Sequence, residues 1–196
     1  MNLIPRIVGH FEESAQLKLV SADLLAPAIA EAAAMIVAAL LDDKKVLTCG
    51  NGGSAALAQY FAARMLNRFD MERPGLATIS LSADNSTLTS IANDSHFSQV
   101  FSKQIMALGQ PGDILLAMST SGNSQNVLDA IVAAHERGMS VVAFSGGDGG
   151  SLMELLIPQE IHIGVPHENT ARVQEMYLLV LHCLCDSIDC LLLGVE

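Results

Sequence analysis

The sequence predicts an α/β protein built on a doubly wound parallel sheet of five strands. Three observations lead to this prediction. Five short apolar runs alternate with helical stretches, as in chains of βαβ units. Hydrophobic residues make up 51% of the chain and charged residues only 16%, which excludes a disordered chain. No linker, internal repeat or low-complexity tract divides the 196 residues, so we expect a single domain over 1–196.

The predicted elements follow each other in regular order. Residues 1–41 are expected to form a helical N-terminal extension, because apolar residues recur there and are densest in AIAEAAAMIVAALL. Short apolar runs predict strands at 46–49, 76–81, 113–118, 140–144 and 160–165. The stretches between and after them predict helices at 54–68, 87–92, 97–108, 127–137 and 170–193.

Composition and charge restrict the possible partners. The net charge of −11 repels phosphate backbones, which argues against direct nucleic-acid binding. The four cysteines have no metal or disulfide spacing, and no targeting segment or long uninterrupted apolar run is recognised. We therefore expect a cytoplasmic protein without membrane contact. The apolar helices at 29–41 and 170–193 are expected to bury surface between the subunits of an oligomer.

Two polar loops follow the first and third predicted strands. They are CGNGGS at 49–54 and STSGNS at 119–124, and each leads into the N-terminus of a helix. Helix N-termini offer free N–H groups and a partial positive charge, and ligands of open α/β sheets bind beyond the carboxyl ends of the strands. Either loop alone could equally be an ordinary glycine turn with a helix cap or a phosphate-binding loop. Together they favour binding of a small phosphorylated molecule, since neither matches a nucleotide fingerprint.

A family resemblance rests on motifs that span almost the whole chain. The motifs are CGNGGSA at 49–55, IANDSHF at 91–97, FSKQIMALGQPGD at 101–113, STSGNSQNV at 119–127 and ARVQEMYLLVLHCLCDSID at 171–189. In this order they resemble the sugar isomerase (SIS) domain family, in the branch of phosphoheptose isomerases and DnaA initiator-associating proteins. The resemblance implies a flavodoxin-like sheet and a homotetramer with sites at subunit interfaces. The sugar-phosphate-binding residues that it implies are Asn51, Ser54, Asp94, Ser119, Thr120, Ser121, Ser124 and Gln174.

The resemblance also implies a zinc site, and here the chain departs from the isomerase pattern. The ligands in the family are a His and a Glu four residues apart on the helix after the first loop, with a Gln and a His eight residues apart on the last helix. Gln174 and His182 match the second pair, but Tyr60 and Arg64 stand at the first. Arginine stays protonated and is neither a ligand nor a base. We therefore expect no bound metal and assign no confident catalytic residue among Arg64, Gln174 and His182.

This departure favours a protein that is not an enzyme. The expected function is that of a tetrameric sugar-phosphate-binding regulator of replication initiation that binds the initiator DnaA. The alternative is a phosphoheptose isomerase that converts sedoheptulose 7-phosphate to D-glycero-D-manno-heptose 7-phosphate, with zinc as its cofactor. Its base would be Asp94, His167, Glu175 or His182, and the sequence does not single one out. A sugar-phosphate sensor is a third, weaker interpretation.

Overall fold

The computed structural model describes residues 1–194, so the last two residues of the expected domain lie outside it. Within these residues the five strands are β1 (Val46–Gly50), β2 (Thr78–Ser80), β3 (Ile114–Ser119), β4 (Ser140–Gly146) and β5 (Ile161–Val165). The helices are α1 (Ile4–Leu41), α2 (Gly53–Leu66), α3 (Asn85–Asp94), α4 (Ser102–Leu108), α5 (Gln125–Glu136), α6 (Leu152–Leu155) and α7 (Thr170–Leu193).

All five strands are parallel and lie in the order β2-β1-β3-β4-β5. This is the flavodoxin-like doubly wound order, so the predicted fold is confirmed. The strand order reverses between β1 and β3, which pair in parallel from Val46 opposite Ile114 to Gly50 opposite Met118. The loops after these two strands therefore leave the same edge of the sheet side by side, where open α/β sheets bind their ligands.

Helices cover both faces of the sheet. α1, α2 and α7 pack on one face, and α4 and α5 pack on the other. Every residue of β1 and β3 is buried, as expected for parallel strands covered on both sides. The two layers hold the N-termini of α2 and α5 at the carboxyl edge of the sheet, one after each polar loop.

The N-terminal helical segment is one continuous helix that runs through Pro27. Ala32, Ala33 and Ile36 are fully buried against the sheet and α7. The stretch 29–41, which was expected at a subunit interface, buries much of its apolar surface in the core of its own chain, and the expected interface stays a prediction. Most of the exposed large apolar side chains of α1 lie in its N-terminal half, where Phe11 is 75% and Leu19 is 74% exposed.

Two helices, α1 and α7, are long and apolar enough to cross a membrane by length and composition. Their most apolar 18-residue windows have mean hydropathies of 2.2 and 1.8. The expectation from the sequence considered uninterrupted apolar runs and did not recognise these windows. In the fold the two helices pack against each other, and 33% and 44% of the two windows are buried. Core helices of globular proteins meet the same criterion.

Several element boundaries differ from the prediction, and the main differences concern β2, the helix predicted at 97–108 and α6. β2 begins at Thr78 rather than 76, because the Leu76 N–H donates to the Met65 carbonyl of α2 at 2.9 Å instead of joining the sheet. The predicted helix 97–108 divides into a 3-10 turn at Phe97–Gln99 and α4. α6 was not predicted; it is a single turn after the glycine-rich segment 146–150.

Candidate functional site

The loops after β1 and β3 are joined by a reciprocal pair of side-chain amides. Asn51 donates through Nδ2 to Oδ1 of Asn126 at 2.8 Å, and Asn126 returns the same bond to Asn51 at 2.8 Å. Asn51 belongs to the first loop, and Asn126 lies in the first turn of α5 and is buried. The pair fixes the spacing between the N-termini of α2 and α5 without introducing a charge.

A cavity of about 270 Å³ lies between the two loops. Neither α2 nor α5 has a side-chain hydrogen bond that caps its N-terminus, whereas Asp84 and Asn169 cap α3 and α7. The cavity therefore faces two uncapped helix N-termini, which attract an anion. Its lining contains no acidic side chain; the lining residues are Asn51, Gly52, Gly53, Ser54, Met118, Ser119, Thr120, Ser124, Thr170 and Gln174.

Gln174 of α7 lies directly over the start of α2. A Cβ on Gly53 would lie 2.5 Å from the Gln174 side-chain amide, so a larger residue at this position would have to displace the end of that side chain. On the β3 side, Ser119 donates from its hydroxyl to Oγ of Ser124 at 3.2 Å. The amide and these hydroxyls are neutral polar groups around the space where the helix N–H groups point.

The structure brings together six of the eight predicted sugar-phosphate-binding residues. They are Asn51, Ser54, Ser119, Thr120, Ser124 and Gln174. Ser121 does not line the cavity, and its Oγ accepts a hydrogen bond from the backbone N–H of Asn123 at 3.2 Å. Asp94 is exposed at the C-terminal end of α3 and accepts a hydrogen bond from Asn93. The binding roles of all eight residues remain predictions.

A second polar cluster lies where the middle of α2 contacts α7. Oη of Tyr60 is 2.8 Å from Nε2 of His182, and the Arg64 guanidinium lies over the Tyr60 ring, 4.8 Å from its centroid. The ring of Phe69 also packs against His182, and the two ring centroids are 5.5 Å apart. Since positions 60 and 64 are one helical turn apart, they share the α2 face towards α7.

These residues do not fit a zinc ion. The Tyr60 hydroxyl occupies Nε2 of His182, and Arg64 carries a fixed positive charge beside it. Gln174 lies about 12 Å along α7 from His182, over Gly53 at the start of α2. Burial raises the pKa of the nearby Cys185 thiol to about 12, so it is not a thiolate ligand. No group of three or more His, Cys, Asp or Glu side chains suited to a metal ion occurs in residues 1–194.

The four candidate bases lie in three different places. His167 lies 3.4 Å from Glu13, and Glu175 lies 2.9 Å from Arg172, so both belong to contacts at the N-terminal end of α7. Asp94 is on α3 and does not line the cavity. Of these four residues, only His182 contacts Tyr60 and belongs to the cluster that includes Arg64.

Sequence reasoning missed Asn126 and Thr170 as parts of the site. Asn126 was included in the motif STSGNSQNV but read as an ordinary residue near the start of a helix. The signal in the sequence was an asparagine at the start of α5, together with Asn51 just before α2. Thr170 begins α7 and lines the cavity from the side opposite the two loops.

Comparison with known proteins identifies close relatives of this chain. The profile of the SIS domain family matches residues 10–146. The phosphoheptose isomerase of Azoarcus sp. (strain BH72) is 63% identical over 196 residues, which cover all of both chains. The phosphoheptose isomerase of Thiobacillus denitrificans is 60% identical, again over the full length of both. Among solved structures, the phosphoheptose isomerase from Francisella tularensis superimposes with a TM-score of 0.94 at 46% identity, over 96% of this chain and 99% of that one.

The phosphoheptose isomerase from Neisseria gonorrhoeae gives a TM-score of 0.91, also at 46% identity, over 96% of this chain and 99% of that one. These relatives correct the functional interpretation made from the sequence. A regulator of replication initiation that binds DnaA was expected, and that interpretation is wrong, because the full-length relatives at 60–63% identity bear the name phosphoheptose isomerase. The substitutions at Tyr60 and Arg64 were given more weight than a likeness that extends over the whole chain.

Proposed function

Because the chain belongs to the SIS domain family, we propose that it is a phosphoheptose isomerase, which interconverts sedoheptulose 7-phosphate and D-glycero-D-manno-heptose 7-phosphate. The full-length relatives at 55–63% identity that bear this name support the assignment. The observation within the chain that carries it is the cavity between the two uncapped helix N-termini, which contains hydroxyl and amide groups and no carboxylate. In a protein with a net charge of −11, such a cavity is a place where a phosphate meets no repelling side chain.

The phosphate group of the sugar would occupy this cavity. The N–H groups that open α2 and α5 would donate to its oxygens, and the hydroxyls of Ser119, Thr120 and Ser124 would add neutral donors. The amide pair between Asn51 and Asn126 would keep both helix ends at the spacing that one phosphate needs. Binding energy gained at the phosphate would then hold the remote carbons in position for reaction.

The length of the substrate agrees with the distance to the second cluster. α2 and α7 run side by side in the same direction, from Gly53 beside Gln174 to Tyr60 beside His182. Seven and eight helical residues correspond to about 10–12 Å at 1.5 Å per residue. A seven-carbon sugar phosphate has eight bonds from C1 to phosphorus, which span about 9 Å when extended, at three bonds per 3.3–3.6 Å. A phosphate in the cavity would therefore leave C1 and C2 within contact distance of Tyr60.

A substitution at Thr120 tests this function. Thr120→Asp introduces a carboxylate into the cavity, and like charges about 5 Å apart repel by roughly 3 kcal/mol per unit charge at an effective dielectric of 20. Since the site is partly open to solvent, we expect KM for sedoheptulose 7-phosphate to rise about tenfold or more. Thr120→Asn is the matched neutral control and should change KM by less than about threefold, within the ~0.6 kcal/mol expected of a neutral change.

Product formation by the wild-type protein should be followed by NMR, which resolves the ketose from the aldose. Failure of the wild-type protein to form any heptose 7-phosphate, under conditions where it binds the ketose, would contradict the proposed function. Equal KM values for the two Thr120 variants would contradict the placement of the phosphate.

We also propose a homotetramer in the cytoplasm, which stays a prediction. The exposed apolar side chains on the N-terminal half of α1, which include Phe11 and Leu19, support an interface between subunits. Light scattering at micromolar concentration should give four times the subunit mass of 20.7 kDa. Phe11→Glu should shift the population to smaller species, because it puts a charge into the contact; an unchanged tetramer would remove this helix half from the interface.

A further inference from the structure

The cluster formed by Tyr60, Arg64 and His182 has chemistry of its own that a zinc site does not explain. Resting on the proposed isomerase function, we propose that these three residues carry the isomerisation without a metal ion. Tyr60 and His182 move the proton between C1 and C2, and Arg64 balances the negative charge that develops on the substrate oxygens. The substrate class is a phosphorylated ketose whose phosphate is bound about two helical turns away, beside Gly53 and Gln174.

The geometry suits a proton relay. The 2.8 Å contact between Oη of Tyr60 and Nε2 of His182 is a hydrogen bond, along which a proton can pass in either direction. The ring of His182 packs against those of Tyr60 and Phe69, with centroids 5.6 and 5.5 Å away, and this packing holds the imidazole in position. A hydroxyl activated by a neighbouring base is the arrangement that general acid–base chemistry requires.

Arg64 supplies the positive charge. Its guanidinium lies over the Tyr60 ring, and within residues 1–194 no carboxylate lies within 4 Å of it. The other arginines near this end of α2 are different, since Arg68 pairs with Glu72 at 2.8 Å and Arg73 pairs with Asp189 in the core. A cation without a counter-ion, next to a proton-transferring hydroxyl, stabilises an oxyanion as it forms.

The proposed step balances. The Tyr60 oxygen accepts the proton from C1 while its own proton passes to Nε2 of His182. The C1–H electron pair forms the C1–C2 double bond, and the carbonyl pair moves onto O2, which becomes negatively charged opposite Arg64. The same two transfers in reverse deliver the proton to C2, while O1 loses its proton to O2 and becomes the aldehyde oxygen. Nothing is oxidised or reduced overall, and both protein side chains return to their starting state.

The first test separates the relay from phosphate binding. Tyr60→Phe removes only the hydroxyl, so we expect kcat to fall at least a hundredfold. Exchange of the C1 hydrogen with deuterium from heavy water should be lost with it. Thermal stabilisation by inorganic phosphate should persist, which shows that the variant is folded and its cavity intact. Retention of more than about a tenth of wild-type kcat, with normal deuterium exchange, would overturn the role of Tyr60.

The second test concerns the charge. Arg64→Gln should weaken binding of a phosphorylated hydroxamate, an analogue of the enediolate, by about tenfold or more, as expected for a charge-assisted hydrogen bond. Arg68→Gln makes the same change in charge nearby at an exposed ion pair and is the matched control, with an expected change below about twofold. Arg64→Lys keeps the charge and should recover part of the affinity. Equal effects of the Arg64→Gln and Arg68→Gln variants would overturn the role of Arg64.

The metal must be measured in the same preparations. We expect less than about a tenth of a zinc ion per chain by elemental analysis of tag-free protein, and unchanged kcat after dialysis against a chelator. One zinc per chain, with activity that the chelator removes and zinc restores, would overturn this inference and leave the isomerase function standing. Hydroxamate binding that depends on Arg64 in a protein with no turnover would contradict the proposed function but keep the anion site.

Discussion

A buried ion pair holds the end of α2 against α7, and its removal should cost far more stability than removal of a surface pair. The side chains of Arg73 and Asp189 are each 1% exposed and bonded to each other. Arg73 also donates to the backbone carbonyls of Met65 at 2.9 Å and Arg64 at 3.2 Å, near the C-terminal end of α2. Either single substitution, Arg73→Met or Asp189→Leu, leaves an uncompensated charge in the core.

Breaking a buried pair in this way costs about 3–5 kcal/mol. For a chain of this length each kcal/mol lowers Tm by about 2–4 °C, so we expect a fall of roughly 6–20 °C. The double variant Arg73→Met/Asp189→Leu should recover part of the loss, because no charge is then left unpaired. Asp42→Asn, at the exposed pair with Lys44, is the control and should change the unfolding free energy by less than about 0.5 kcal/mol.

The measurement is urea and thermal unfolding at one fixed protein concentration, since oligomerisation would otherwise shift the midpoint. The two single variants and the double variant form a cycle from which the coupling free energy follows. A loss below about 1 kcal/mol in both single variants would refute the reasoning, because it would mean that water reaches the pair or that a neighbouring group compensates it.

Three further outcomes follow from contacts at the two polar loops and between β4 and β5. Gly53→Ala should weaken binding of inorganic phosphate with little loss of stability, since its Cβ would displace Gln174; calorimetric titration with phosphate checks this, and an unchanged affinity would contradict it. Asn126→Ala should also weaken phosphate binding, because the two loops lose their link to each other, and an unaltered affinity would argue against a bridging role. Burial lowers the pKa of His162, which contacts Ser145 at 2.6 Å, so the unfolded chain takes up a proton at higher pH than the folded one. Stability should therefore fall as the pH drops from about 6.5 towards the lower pKa of the folded state, and His162→Gln should reduce this fall in urea midpoints measured at pH 7.5 and 5.5.

The fold could be predicted from the sequence because its signals are local. Each short apolar run lies between helical stretches, and the polar loops at 49–54 and 119–124 directly follow two of these runs. The parallel sheet then brings the two loops together, since β1 and β3 are neighbours at the switch point of the strand order. Five of the six predicted residues that line the cavity belong to these two loops, and the sixth, Gln174, comes from α7.

The second cluster could be placed only through the family resemblance, which puts positions 60, 64 and 182 at one site, because it depends on pairing between distant segments. Tyr60 and His182 are 122 positions apart, and only the packing of α2 on α7 brings them to hydrogen-bond distance.

The composition of the cavity between the two polar loops has a consequence for how the proposed phosphate binding depends on pH. Its lining residues are glycines, hydroxyl and amide side chains and one methionine, and none of them titrates in the physiological range. The ligand does, because the second pKa of a phosphate monoester is about 6. Affinity for a sugar phosphate should therefore weaken below this value as the dianion becomes a monoanion, with a midpoint set by the ligand. Because a site made of neutral donors has no titrating group of its own, the ionisation of the ligand sets the pH range in which it binds.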